Sequence, residues 1–194
     1  MDLRHFLFSY RSFTPVPLVL SLLYFANPEI PFLFYGLSLA VIGESIRINA
    51  VRYAGGATRT TKVGAPSLCT SGPYARTRNP LYLGNMFIYC GVALIAGGQF
   101  MWEFLLVVFV FFTFQYSMII SLEEETLIGL FGDDYETYRG NVPRLFPRIY
   151  PWLGTDDRPP TPLTKTLQTE IRTLQNIALI LLLIAARTYF GAMI

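Results

Sequence analysis

Apolar residues run along this chain in long blocks separated by short polar stretches. A helix that crosses a membrane needs about 20 predominantly apolar residues. Residues 30–51 reach that length, with Arg47 and Arg52 at their end. Residues 81–96 are shorter but begin at a clear boundary, Asn79-Pro80. Residues 100–121 are strongly apolar and aromatic, and residues 174–194 form a last block. Residues 16–26 make a marginal segment that follows Pro15 and Pro17 and turns at Asn27-Pro28. The pattern predicts an all-α, multi-pass membrane bundle of about five helices, with the first packed against the second.

Composition agrees. Only 14% of residues are charged, against about 25% in soluble domains, and mean hydropathy is positive. The length of 194 residues suits one domain. Its core is expected over about 30–150, followed by a Pro-rich linker (151–162) and the additional helix at 174–194. Basic residues orient such a bundle. Arg4 and Arg11 precede the first block. Arg52, Arg59, Lys62, Arg76 and Arg78 lie between the second and third. Arg139, Arg144, Arg148, Arg158, Lys165 and Arg172 lie between the fourth and fifth. The opposite turns, around Pro28 and Gly97-Gly98, hold no Lys or Arg. The N-terminus and both long loops are therefore expected in the cytosol and the C-terminus on the other side. The start Met-Asp-Leu-Arg-His reads as no signal peptide, since no small-residue cleavage site follows.

Several chemistries are excluded. A net charge of +2 without a basic, aromatic-interleaved run argues against nucleic acid. The single histidine, His5, and two cysteines, Cys69 and Cys90, have no ligand spacing. They support no metal centre, no Ser-His-Asp triad and no disulfide framework.

Two polar segments remain as candidate chemistry. The first is residues 70–84. Gly72-Pro73 marks a turn. Asn79 is a favoured N-cap and Pro80 suits a first helical position. The exposed N–H groups and dipole of that helix start attract anions, and Arg76 and Arg78 add positive charge. An ordinary capped, positively flanked helix reads the same way. The second segment opens with Glu123-Glu124-Glu125 directly after an apolar block. Each acidic residue at a membrane centre costs roughly 2.5–3.5 kcal/mol, so the triplet must lie at the boundary or face a polar cavity. Leu127, Ile128, Leu130 and Phe131, with Tyr135 and Tyr138 beyond, give the apolar face of an interfacial helix. This segment reads either as a helix stop with a surface helix or as a cation-binding carboxylate pair beside a pocket.

The run Gly72-Pro73-Tyr74, Arg78-Asn79-Pro80, Tyr82 and Gly84 resembles the signature of the isoprenylcysteine carboxyl methyltransferase and phospholipid methyltransferase superfamily. Glu123-Glu124, Leu127, Phe131-Gly132, Tyr135, Tyr138 and Val142-Pro143-Arg144 with Pro147 are similar to its C-terminal signature. The resemblance spans roughly residues 40–150. It implies a small helical membrane enzyme that uses S-adenosylmethionine, releases S-adenosylhomocysteine, and methylates a lipophilic or prenylated acceptor drawn from the bilayer. Carried over residue by residue, it assigns cofactor binding to Tyr74, Arg78, Asn79, Pro80, Leu81, Tyr82, Gly84, Glu123 and Glu124. Two positions depart from the pattern: Asn79 replaces a histidine and cannot titrate, and Ile119 stands where an arginine is expected. Arg47, Arg52, Arg139 and Arg144 are candidates to orient an acidic acceptor. Glu44 is a candidate for the acceptor tunnel, or a simple partner of Arg47 one turn away. Prenylcysteine carboxylates, lipid amines and isoprenoid hydroxyls all fit as acceptors. The ending Val142 to Tyr150 also resembles NADPH-dependent membrane sterol reductases, and a non-catalytic membrane scaffold is the third reading.

Overall fold

A computed structural model describes residues 2–55, 63–154 and 156–191. Arg59 and Lys62, which contribute to the expected orientation, lie outside the described residues. The described chain is helical: α1 Leu3–Tyr10, α2 Val16–Tyr24, α3 Ile30–Ala54, a 3-10 turn Gly72–Ala75, α4 Pro80–Ala96, α5 Met101–Phe131, α6 Asp133–Asn141 and α7 Leu163–Gly191. Helices α3, α5 and α7 are long and apolar enough to cross a membrane. At 17 residues α4 is shorter, and it begins at Pro80 as the Asn79-Pro80 boundary predicts.

The N-terminal helical segment is longer than the expected 16–26 block and is broken in two. Asp2 caps α1 by accepting the Arg4 N–H at 3.0 Å, and α1 then runs into α2 through a turn at residues 11–15. The two pieces lie antiparallel to α5. Arg4 pairs with Glu125 at 2.7 Å, Thr14 donates to Gln115 Oε1 at 2.7 Å, and Phe25 meets Phe104 with centroids 5.8 Å apart. Positions about ten apart along α1 and α2 meet positions about ten apart along α5, in reverse order. Proline explains the break: Pro15 and Pro17 lack the N–H that would continue α1 into α2.

Helices α3 and α4 cross at glycines. A Cβ built on Gly43 would fall 2.6 Å from the Gly84 carbonyl oxygen, and one on Gly36 2.5 Å from that of Gly91. Within lipid, burial from water contributes nothing between helices, so close backbone packing at small residues holds them together. Beyond this seam, Val92, Ala93 and Ile95 of α4 pack with Val108, Phe112 and Ile119 of α5 and with Leu7 and Phe8 of α1. Large apolar side chains such as Phe34, Val41, Leu106 and Leu182 stay exposed on the outside, as lipid-facing residues do.

Helix α5 departs from the expected stop at the acidic triplet. It continues through Glu123-Glu124-Glu125 to Phe131. Glutamate is a good helix former, and a 31-residue helix is about 46 Å long, well beyond the roughly 30 Å hydrocarbon core. The separate interfacial helix is only α6, which starts after Gly132 in a left-handed turn (φ 52°). Tyr135 and Tyr138 of α6 pack on Leu127, Ile128, Phe131, Leu68 and Trp152. Helix α7 begins at Leu163, earlier than the apolar block at 174, because its first turns are polar but helix-forming.

Candidate functional site

The two motif segments form one layer at the same end of the bundle. The Arg78 N–H donates to Pro143 O at 3.0 Å, Arg148 N–H to Arg76 O at 2.9 Å and Trp152 N–H to Ala75 O at 2.8 Å. Thr77 Oγ1 donates to Leu145 O at 3.1 Å, and Tyr138 Oη to Tyr74 O at 2.8 Å. The Val142-Pro143-Arg144 run thus forms a strap over the residues that precede α4.

Arg78 and Glu124 lock this layer to α5. Arg78 donates to Glu124 Oε1 from Nη2 at 2.7 Å and from Nε at 3.1 Å. Its remaining Nη1 donates to the carbonyls of Val142 at 2.6 Å and Arg139 at 2.9 Å. Arg144 closes on the other Glu124 oxygen. Both Arg78 and Glu124 side chains are nearly buried. The neighbouring carboxylate, Glu123, is turned about 100° around the helix and does something else: it accepts the Tyr82 hydroxyl at 2.9 Å. The expected glutamate pair therefore divides into a clamp and a cavity-facing carboxylate.

Behind the layer lies a cavity of about 730 Å³, within the usual range for small-molecule sites of about 300–1,000 Å³. Tyr74, Arg78, Asn79, Pro80, Leu81, Tyr82, Glu123 and Glu124 all line it, as do Arg47, Asn85 and Glu170. Further in, Ile88, Tyr89, Val92, Tyr116, Ile177 and Ile180 make an apolar end. One face of α4 carries this change, since positions 81/82, 85, 88/89 and 92 repeat at helical spacing. The cavity is polar at one end and apolar at the other.

Other expected positions fall elsewhere. Gly84 is outside the cavity lining; its place is the seam, where an added Cβ would lie 2.7 Å from both Gly43 O and Arg47 Cγ. Asn79 occupies the N-cap position without a side-chain cap; its amide instead donates to Arg144 O at 2.9 Å. The α4 start consequently keeps N–H groups that Asn79 does not cover. Arg52 is off the cavity and donates to Thr161 O at 3.2 Å. Arg139 pairs with Glu136, outside the cavity. Glu44 is not a lining residue and sits 3.6 Å from Arg47 Nε, the partner reading. Sequence reasoning missed Asn85 and Glu170. Glu170 lies among the polar first turns of α7, where nothing in the sequence sets it apart from its neighbours.

Burial and nearby charge fix the protonation of the outer groups. Burial raises the Tyr74 phenol far above its usual range, which makes it a hydrogen-bond donor and no base. Burial likewise pushes the Cys69 thiol up to about 11, so no thiolate nucleophile lines the cavity at neutral pH. The linker is tied down by Asp156, which accepts the Thr70 N–H at 2.8 Å, the Ser71 hydroxyl at 3.1 Å and Arg158 Nε at 2.8 Å. Partial burial raises this carboxyl, but the bonds from Arg158 and Thr70 outweigh it and hold the pKa below the ordinary value. A depressed carboxylate stabilises the fold above its unfolded pKa, about 3.9, and that contribution is lost as pH falls through the lower folded value. Asp156→Asn should therefore melt earlier than the parent at pH 7, with the gap closing as pH drops below about 4. Thermal melts in detergent across that range check this, and a gap independent of pH contradicts it.

Comparison with known proteins places this geometry. Residues 32–134 match the phospholipid methyltransferase family. The chain is similar to methanethiol S-methyltransferase 2 of Bradyrhizobium diazoefficiens, 31% identical over 56% of this chain and 39% of that protein. It is 39% identical to the protein-S-isoprenylcysteine O-methyltransferase of Schizosaccharomyces pombe, over 42% of this chain and 34% of that protein. A cobalt-zinc-cadmium resistance protein of Cupriavidus metallidurans is 32% identical over 61% of this chain and 49% of its own length. The chain spans less than half the length of each of these relatives. No solved structure matches it. The matched residues hold nearly all of α3, the whole of α4 and α5, and both clamp residues, Arg78 and Glu124, and cover just over half of the chain: it belongs to the phospholipid methyltransferase family.

Proposed function

We propose that this protein is an S-adenosylmethionine-dependent methyltransferase acting on a lipophilic acceptor within the membrane, most like isoprenylcysteine carboxyl O-methylation. The observation that carries this reading is one cavity whose polar end holds Glu123 and the uncapped α4 start, and whose other end is apolar. The donor set suits a zwitterionic nucleoside cofactor. The N–H groups of Leu81 and Tyr82, at the positive end of α4, suit a carboxylate. Glu123, oriented by Tyr82, suits an amine or ribose hydroxyls. Tyr74 closes the same end as a neutral donor.

S-adenosylmethionine supplies a methyl group already activated on a sulfonium. Leu81, Tyr82, Glu123 and Tyr74 would hold the cofactor there, and the chemistry it would supply is transfer of that methyl to an acceptor oxygen, with the carbon–sulfur electron pair staying on sulfur. The chain's contribution is orientation and exclusion of water. The strap over the cavity and its apolar inner wall supply both. A carboxylate acceptor needs no general base. That fits a cavity lined by no histidine, His5 being 61% exposed beside Asp2. The basic residues around the layer, Arg76, Arg139, Arg144 and Arg148, support a cytosolic mouth.

Titration calorimetry on the detergent-purified protein tests the reading, with S-adenosylhomocysteine and NADPH in parallel. Saturable binding of S-adenosylhomocysteine alone is expected; binding of NADPH alone transfers the protein to the reductase reading. Glu123→Gln should weaken S-adenosylhomocysteine by roughly tenfold or more, the value of one charge-assisted hydrogen bond. Unchanged affinity in that variant removes Glu123 from the site.

A further inference from the structure

Helix α7 lies outside the residues that match the family, yet it forms one wall of the cavity through Glu170, Thr173, Asn176, Ile177 and Ile180. Its placement does not depend on lipid alone. The linker before it is pinned by Asp156 to the 70–71 backbone and by the Thr161 N–H to Arg52 O at 2.7 Å. From there α7 delivers Glu170, fully buried, to Arg47 Nη2 at 2.6 Å. The other Arg47 terminus, Nη1, donates to Asn85 Oδ1 at 2.6 Å. Glu170 and Asn85 thus hold the Arg47 fork from two helices, with Glu44 alongside at 3.6 Å.

The level of this cluster matters. Asn85 is one turn along α4 from Leu81 and Tyr82, and one turn before Ile88 and Tyr89. It marks the point where the polar end of the cavity gives way to the apolar end. A lipid acceptor with its tail in the apolar end brings its headgroup to that point. Arg11, Arg78, Arg158 and Arg172 also line this cavity, but of the four sequence candidates to orient an acidic acceptor (Arg47, Arg52, Arg139 and Arg144) Arg47 alone does. Buried ionisable groups within membrane helices are costly unless paired, and they mark functional positions.

We propose that Glu170 is a positioning residue that fixes Arg47 at the junction of the two cavity ends, where Arg47 contacts a carboxylate-bearing lipid headgroup. This rests on the methyltransferase reading above. Helix α7, outside the matched family segment, then decides which acceptor this chain takes, and Arg47 supplies from α3 the cation that Ile119 does not supply from α5.

The test uses the whole protein with S-adenosylmethionine and an N-acylated S-farnesylcysteine, a lipid with a free carboxylate. Glu170→Gln is expected to raise the KM for this acceptor by roughly tenfold while S-adenosylhomocysteine affinity stays unchanged. Glu170→Asp should recover part of the loss, and Arg47→Lys, which keeps the charge but not the fork, should behave like Glu170→Gln. An unchanged acceptor KM in Glu170→Gln overturns the proposal, as does an equal loss of cofactor affinity, which would mean a general collapse of the cavity. Parent protein that binds S-adenosylhomocysteine but does not methylate the carboxylate lipid also overturns it and leaves the cofactor reading standing. Parent protein that does not bind S-adenosylhomocysteine overturns both.

Discussion

Arg78→Ala is expected to lower the melting temperature by about 6–20 °C, corresponding to about 3–5 kcal/mol for breaking a buried ion pair in a chain of this size. The size follows from what Arg78 holds. Its guanidinium makes two bonds to Glu124 and one each to the Val142 and Arg139 carbonyls. Without it, a nearly buried carboxylate keeps only Arg144, whose side chain is 45% exposed. The Val142 carbonyl of the strap and the Arg139 carbonyl of α6 also lose this donor. Leaving one member of a buried pair behind costs more than removing both, because the survivor is neither hydrated nor matched. Arg78→Lys, with the charge but without the planar fork, should fall between the parent and the alanine variant. Loss of the strap should also abolish S-adenosylhomocysteine binding, although Arg78 acts there as a clamp on the cavity wall. Thermal melts with calorimetry on the same samples read both effects. A drop under about 2 °C, less than the shift from 1 kcal/mol, would show that the strap is held by its backbone bonds alone.

The second large effect is expected at the α3–α4 seam. Gly43→Ala adds one methyl group, and that carbon has no room: it would sit 2.6 Å from the Gly84 carbonyl oxygen and 2.9 Å from the Ile88 backbone nitrogen. Backbone atoms cannot rotate away, so the helices must separate. Overpacking of this kind costs about 1–3 kcal/mol, or about 2–12 °C. Separation also moves Arg47 relative to Asn85, since Arg47 lies one turn along α3 from Gly43 and Asn85 directly follows Gly84. Acceptor turnover should therefore fall further than the stability loss alone explains. Gly129→Ala is the matched control. It lies within α5 with nothing within 4 Å of an added Cβ, so helix propensity should make it neutral or up to about 1 kcal/mol stabilising. If Gly43→Ala melts with the parent, the seam is looser than the geometry requires.

The two glycines illustrate why motif and role separate. Gly84 belongs to the run that the resemblance assigns to the cofactor, and its absent side chain serves helix packing. The acidic triplet divides in the same way. Glu123, Glu124 and Glu125 are consecutive in sequence, but a helix points them about 100° apart. They meet Tyr82, the Arg78–Arg144 pair and Arg4 respectively.

Part of this protein follows from neighbours along the chain alone. Apolar runs set the long helices, because a bilayer demands a continuous stretch of low polarity. Asn79-Pro80 set the start of α4, because proline suits a first helical position and little after it. The order of the two motifs pointed to the family that residues 32–134 match. Partnership between distant residues is legible only in the packed molecule. Arg78 and Glu124 are 46 residues apart, and Arg47 and Glu170 are 123 apart. The pairing of α1 and α2 as one broken run along α5 is of the same kind. Hydropathy and capping are read from a few adjacent side chains, whereas a buried charge finds its partner only when packing has removed water and left one geometry in which both are satisfied.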